Sequence, residues 1–138
     1  MSLVYKEESY QIMGACFEVY REKGAGFVEP IYHECLMREF LLQKVAAVSE
    51  PELSVYYKGE ILNKKLKPDF VCFGKIILEL KAVKVLADEH RAQVQNYLRA
   101  TGFELGLLVN FGHQPLLEWE RIVWSKKLPE EPIRLRDE

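Results

Sequence analysis

Apolar residues recur at helical spacing over about residues 3–23, where Tyr5, Ile12, Cys16, Val19 and Tyr20 fall near one stripe. Gly24 is placed to end that helix, because glycine takes the left-handed cap conformation cheaply. A second helix is expected over about residues 27–43, with Ile31, Cys35 or Leu36, and Phe40 facing inward and Pro30 in its first turn, where a missing N–H does no harm. The period then changes. The stretches LSVYYKG, KPDFVCF, IILELKAV, ELGLLVNF and LLEWERIVW are rich in β-branched and aromatic residues and read as strands. Between the third and fourth of these lies DEHRAQVQNYLRAT, a helix with acids in its first turn, as the helix dipole prefers, and with Gly102 placed to cap its end.

The expected order is α-α-β-β-β-α-β-β. Residues 76–111 form a β-α-β unit, so the two strands flanking the helix should be parallel with a right-handed crossover. The strands before them follow one another through short turns and should be antiparallel. The product is a mixed sheet flanked by helices. At 138 residues the chain holds one domain with one real core, expected over residues 1–125. Residues 126–138, KKLPEEPIRLRDE, are read as a loosely attached charged tail, since two prolines and dense charge discourage regular structure.

Composition narrows the class. Apolar residues make up 49% and charged residues 29%, an ordinary globular balance. No apolar run is long enough to cross a bilayer, and the N-terminus lacks the basic-then-apolar layout of a signal peptide. Cys16, Cys35 and Cys72 are odd in number and widely spaced, which argues against a disulfide framework, a zinc site or an iron–sulfur cluster and for a reduced, cytoplasmic protein. The net charge of −2 argues against a general nucleic-acid binder, but the charge is uneven: residues 1–57 carry −4, residues 58–84 carry +4 and residues 85–138 carry −2. A local positive field on an acidic protein can focus a polyanion onto one site. Lysines on strand edges that guard against edge-to-edge pairing would give the same pattern.

Within that basic region, Asp69, Glu79 and Lys81 are set into an otherwise apolar hairpin. Charges are costly to bury unless paired or bound to a metal. In IILELKAV, alternation puts Ile76, Leu78 and Leu80 on one face and Ile77, Glu79 and Lys81 on the other. Asp69 joins them if a three-residue loop centred on Gly74 pairs Cys72 with Ile76. A two-residue loop would turn Asp69 to the opposite face, because a one-residue slip flips every side chain. Two carboxylates suit Mg²⁺, which polarises a phosphoryl oxygen and acidifies a bound water. Lys81 could orient that water or stabilise charge developing on phosphorus. The plain structural alternative is a solvated hairpin face with a Glu–Lys pair worth less than about 1 kcal/mol.

These residues carry a resemblance. "PDF…ELK", with Pro68 before Asp69, resembles the signature of the PD-(D/E)XK nuclease superfamily, the restriction-endonuclease-like phosphodiesterases. GFVEPIY, residues 26–32, is similar to the pattern of its GxxExxY proteins. QVQNY, residues 93–97, resembles the Q-x-x-x-Y motif on the helix that follows the E-x-K strand in RecB-like and phage exonuclease-like relatives. GLLVNFG, residues 106–112, resembles the strand after that helix, so the similarity runs over about residues 4–124.

The resemblance implies an α/β, restriction-endonuclease-like domain and Mg²⁺- or Mn²⁺-dependent hydrolysis of phosphodiester bonds, with DNA as the partner. It implies Asp69, Glu79 and the Leu80 carbonyl as metal ligands, with Glu29 binding metal directly or through water. Lys81 would assist the attacking water, and Gln93 and Tyr97, one helical turn apart, would orient the lysine or contact the DNA backbone. Each residue also has a plainer use: Glu29 at a helix N-terminus, Tyr97 as a half-buried core aromatic, Gln93 on a solvated face. His33 and His90 lack partners at ligand spacing and read as surface histidines, with a phosphate contact open to His90. Two other classes stay open: a catalytically silent nucleic-acid-binding module, and a protein-interaction subunit, homodimeric or accessory, docking through Trp119 and Trp124. The sequence displays no recognition helix or aromatic platform, which weakens sequence-specific binding.

Overall fold

The structure, a computed structural model, describes residues 3–124; the expected charged tail lies outside them. Helix α1 spans Lys6–Lys23 and ends where Gly24, at φ 66°, donates its N–H to the Tyr20 carbonyl. Helix α2 spans Glu29–Gln43, with Pro30 in its first turn. Its buried stripe is Tyr32, Leu36 and Phe40, four residues apart, so Ile31, expected inside, is instead 40% exposed one position away.

Seven strands follow: β1 Ala47–Ser49, β2 Leu53–Tyr57, β3 Glu60–Leu66, β4 Phe70–Cys72, β5 Ile76–Lys81, and then, after helix α3 (Asp88–Thr101), β6 Leu105–Asn110 and β7 Glu118–Val123. The fold class is the expected one, with β1 and β3 added to the expected order. The main sheet runs β1-β4-β5-β6-β7, parallel between β5 and β6 and antiparallel elsewhere. Helices α1 and α2 cover one face, against Ile76, Leu78 and Leu80 of β5 and Leu105, Leu107 and Val109 of β6. Helix α3 covers the other through Val94, Tyr97 and Leu98, packed with Ile77, Leu108 and Ile122. Its approach to β6 is close: a Cβ at Gly106 would lie 2.5 Å from Val94 Cγ1, so only glycine fits beneath it. Trp124 packs beside this second cluster, while Trp119 is 37% exposed. Among the described residues no helix is long and apolar enough to cross a membrane.

The added strands belong to one long ribbon. β1 pairs with β4 as Ser49↔Phe70, and β2 pairs with β3 as Leu53↔Leu66, two pairings that share a single antiparallel register. Continued across the gap, that register sets Glu50 opposite Asp69, where the Glu50 N–H reaches the Asp69 carbonyl at 2.8 Å. It also sets Pro51 opposite Pro68. Two facing prolines supply no N–H to the ladder, so the ribbon breaks there. Its inner half joins the sheet; its outer half, β2–β3, forms a separate two-stranded sheet. The outer half turns at Lys58 and Gly59, both at positive φ (51° and 84°). This is the backbone a two-residue hairpin turn requires.

Candidate active site

The loop between β4 and β5 is the three-residue one: Cys72 pairs with Ile76 and Phe70 with Leu78, which brings Asp69 opposite Glu79. At this point side chains take over from the ladder. The Leu80 N–H donates to Asp69 Oδ2 at 2.7 Å, and the Asp69 N–H donates to Glu79 Oε1 at 3.0 Å. Each carboxylate is thus pinned by one oxygen and keeps the other for something else. A strand residue turns its N–H and C=O to the same edge, so the Leu80 carbonyl faces the Asp69 side as well.

Lys81 lies on the α3 face with Glu79. Its Nζ is 4.0 Å from Glu79 Oε2 and donates to Gln93 Oε1 at 2.9 Å, while Gln93 Nε2 donates to the Tyr97 hydroxyl at 3.3 Å. Gln93 therefore holds the ammonium through its carbonyl and is itself held by a buried tyrosine. Beyond β5, Asn110 is fully buried; its Oδ1 accepts from the N–H groups of Val83 and Gly112, and its Nδ2 donates to Glu118 Oε1. A Cβ at Gly112 would come within 2.5 Å of the Val83 carbonyl oxygen. These contacts clamp the segment that carries the chain from Lys81 to α3.

Glu29 is the first residue of α2. Gly26, at φ 117°, adopts a backbone that favours glycine. The Tyr32 hydroxyl donates to the Gly24 carbonyl and accepts the Phe27 N–H, so this tyrosine, stacked on Phe111 at 4.6 Å, fastens the loop that delivers Glu29. With Asp69, His33 and Glu50, Glu29 lines a cavity of about 560 Å³.

At these acids burial outweighs the nearby Lys81 ammonium. Burial first, and Asp69 second, push Glu79 up to about 8. Burial also raises Asp69, against the opposing Leu80 N–H, and burial with the Asp69 charge raises Glu29. These raised carboxyl groups and the inward backbone carbonyl are hard oxygen donors of the kind a divalent cation takes, while the ligand atoms that converge within 4.8 Å of one another are those of His33, Glu50 and Asp69.

All six side chains singled out from the sequence thus fall within one region: Asp69, Glu79, Lys81, Gln93 and Tyr97 as a connected chain of contacts, with Glu29 across the cavity. Two further residues were missed. His33 is not a surface histidine: its ring stacks on Phe70 at 4.4 Å, its Nδ1 is 3.6 Å from Asp69 Oδ1, and its Nε2 meets Ser49 Oγ at 2.8 Å. Glu50 stands beside it, and His33, Glu50 and Asp69 each offer a ligand atom within 4.8 Å of the others. The signal for His33 was its position four residues after Glu29, on the same helical face; Glu50 had none. His90 has a local use, its Nδ1 accepting the Ala87 N–H at 3.0 Å at the start of α3.

Residues 6–122 match the family model of the PD-(D/E)XK nuclease superfamily. Among solved structures, the crystal structure of SSO0001 is similar, with a TM-score of 0.55 and 22% sequence identity over 68% of this chain and 49% of that one. This chain therefore spans about half the length of that protein, and the likeness is one of fold. No curated protein matches the chain.

Proposed function

The chain belongs to the PD-(D/E)XK nuclease superfamily, and from that premise we propose that it is a metal-dependent nuclease hydrolysing phosphodiester bonds of DNA. Asp69, Glu79 and the Leu80 carbonyl hold Mg²⁺ or Mn²⁺, and Glu29 adds a ligand directly or through water. The bound ion supplies a Lewis acid for the phosphoryl oxygen and acidifies a water. The side chains do the rest. The backbone N–H bonds to Asp69 and Glu79 fix the two carboxylates before any ligand arrives, which removes ordering cost from binding. Lys81, steadied by Gln93, presents its ammonium where negative charge develops on phosphorus and orients the attacking water. Tyr97 keeps Gln93 in place.

The observation that carries this reading is the pair of bonds across β4–β5, Asp69 N–H to Glu79 Oε1 and Leu80 N–H to Asp69 Oδ2, with Lys81 held beside them. The GxxExxY assignment rests on each residue of that pattern having a job here: Gly26 in the loop, Glu29 at the cavity, Tyr32 fastening one to the other. Single-turnover cleavage of single- and double-stranded DNA with Mg²⁺ or Mn²⁺ tests it. Wild type should cleave; Asp69→Ala and Lys81→Met should not. Equal cleavage by wild type and Asp69→Ala would place the activity elsewhere or in a contaminant.

A further inference from the structure

We propose that the outer half of the ribbon, β2–β3, is an arm that grips a single-stranded stretch of nucleic acid and leads it to Asp69. The proposal deepens the nuclease reading and rests on it for what happens to the strand afterwards.

The arm differs from the rest of the molecule in charge. Residues 53–67 carry Lys58, Lys64, Lys65 and Lys67 against Glu60 alone, a net +3 on a chain of net −2. It also differs in what it leaves uncovered. Leu53 and Leu66 rest against the α3-side core and root the arm, but Tyr56 and Tyr57 are each 63% exposed, and Ile61 is 55% exposed. Tyr56 lies opposite Ile61 and Ser54 opposite Lys65, with a bulge between the two pairs, and Lys65 Nζ donates to Ser54 Oγ at 3.2 Å. Beyond Lys65 the chain leaves β3 at Leu66 and runs through Lys67 and Pro68, where the ribbon breaks, to Asp69. The arm therefore presents exposed aromatic rings, an apolar neighbour and several lysines on the stretch of chain that leads into the carboxylates. Seven residues of β3 at roughly 3.4 Å each give the arm a length of up to about 24 Å.

Exposed rings next to lysines recognise a nucleic acid whose base faces are free. Stacking tolerates any base sequence, and the ammonium groups follow the phosphates. A duplex keeps its base faces occupied and would leave the tyrosine without a partner. Both edges of the arm pass through the site: Glu50 bonds to Asp69 at one root, and Lys67–Pro68 leads into Asp69 at the other. A strand lying along the arm is thereby led towards the acids.

The test is fluorescence anisotropy in EDTA with labelled (dT)20, (U)20 and a duplex of equal length, using the whole chain. Without metal, binding is read apart from cleavage. Wild type and Asp69→Ala should both bind a single strand more tightly than duplex. Tyr56→Ala should weaken that binding about tenfold, with Tyr56→Phe restoring it. The triple variant Lys64→Ala, Lys65→Ala, Lys67→Ala should weaken it about tenfold and flatten the salt dependence by about two logarithmic units per decade. A triple control on other surfaces, Arg21→Ala, Lys23→Ala, Arg99→Ala, removes the same charge and should change little. Arm variants that bind as wild type does, a control triple that weakens binding equally, a preference for duplex, or no binding by wild type would each overturn the proposal. Tight, arm-dependent binding with no cleavage when metal is added would leave the arm standing and sink the nuclease reading.

Discussion

The two halves of the ribbon meet in one register at the facing prolines and share almost nothing else. In the inner half, all three residues of β4 are buried, and Phe70 touches Phe40 and His33. In the outer half, six of the seven residues of β3 are exposed. The change occurs at the facing prolines, and Asp69 sits immediately inside it. Charge follows the same boundary: carboxylates inside, raised by burial, and lysines outside, in water. A site that must hold a cation and receive a polyanion needs both environments within reach of each other, and one bent hairpin supplies them.

The difference can be broken from either side. The largest effect should come from the inner acids: Asp69→Ala removes a proposed ligand and should lower cleavage by at least about a thousandfold in single-turnover assays, while no exposed residue of the outer arm is a ligand. Next comes packing. Phe70→Ala should destabilise the protein by about 3–5 kcal/mol in urea unfolding, as expected for a buried phenylalanine, whereas Ile61→Ala on the arm should stay within about 0.5 kcal/mol.

A smaller effect separates the two halves by pH. Glu79 is pushed from 4.5 up to about 8 in the folded protein. Folding then favours its protonated form, so metal-free stability should be greatest below about pH 4.5 with respect to this group and decline as pH rises through about 8. Glu79→Gln should remove that decline, leaving the variant more stable than wild type by roughly a few kcal/mol at alkaline pH in EDTA. Unfolding midpoints at several pH values decide it; parallel curves for the two proteins would count against a carboxylate whose burial outweighs its partners. The smallest effect concerns position. Gln93→Ala frees Lys81 without removing a charge and should lower the cleavage rate about tenfold with metal affinity unchanged, a split that a general loss of structure would not produce.

Most of the inner half was legible in the sequence because its signals are local. Helix α3 has acids at its start, Gly102 at its end and a clear apolar face, and its limits follow from them. The alternation in β5 put Glu79 and Lys81 together, and Gly74, at φ 69°, marked the loop that brings Asp69 opposite. The outer half was harder. The turn in YYKGE uses Lys-Gly where Asn-Gly or Asp-Gly would have announced a hairpin. EILNKKL has no buried face to show a period, so β3 went unread. β1, at three residues, is too short to display any pattern. The facing prolines become visible only once both strands and their register are known. His33 shares a helical face with Glu29, but that it and Glu50 meet Asp69 depends on how α2 and the ribbon pack, which no spacing along the chain encodes.

The most direct test of the central claim is calorimetric titration of Mn²⁺ into the metal-free wild type and into Asp69→Ala. Acids raised by burial and by one another should bind the ion in the wild type and release protons as they do so, and the variant should lose that binding. Wild type that binds no metal with nucleic acid present, or a variant that binds it equally well, would contradict a metal centre built on Asp69 and Glu79.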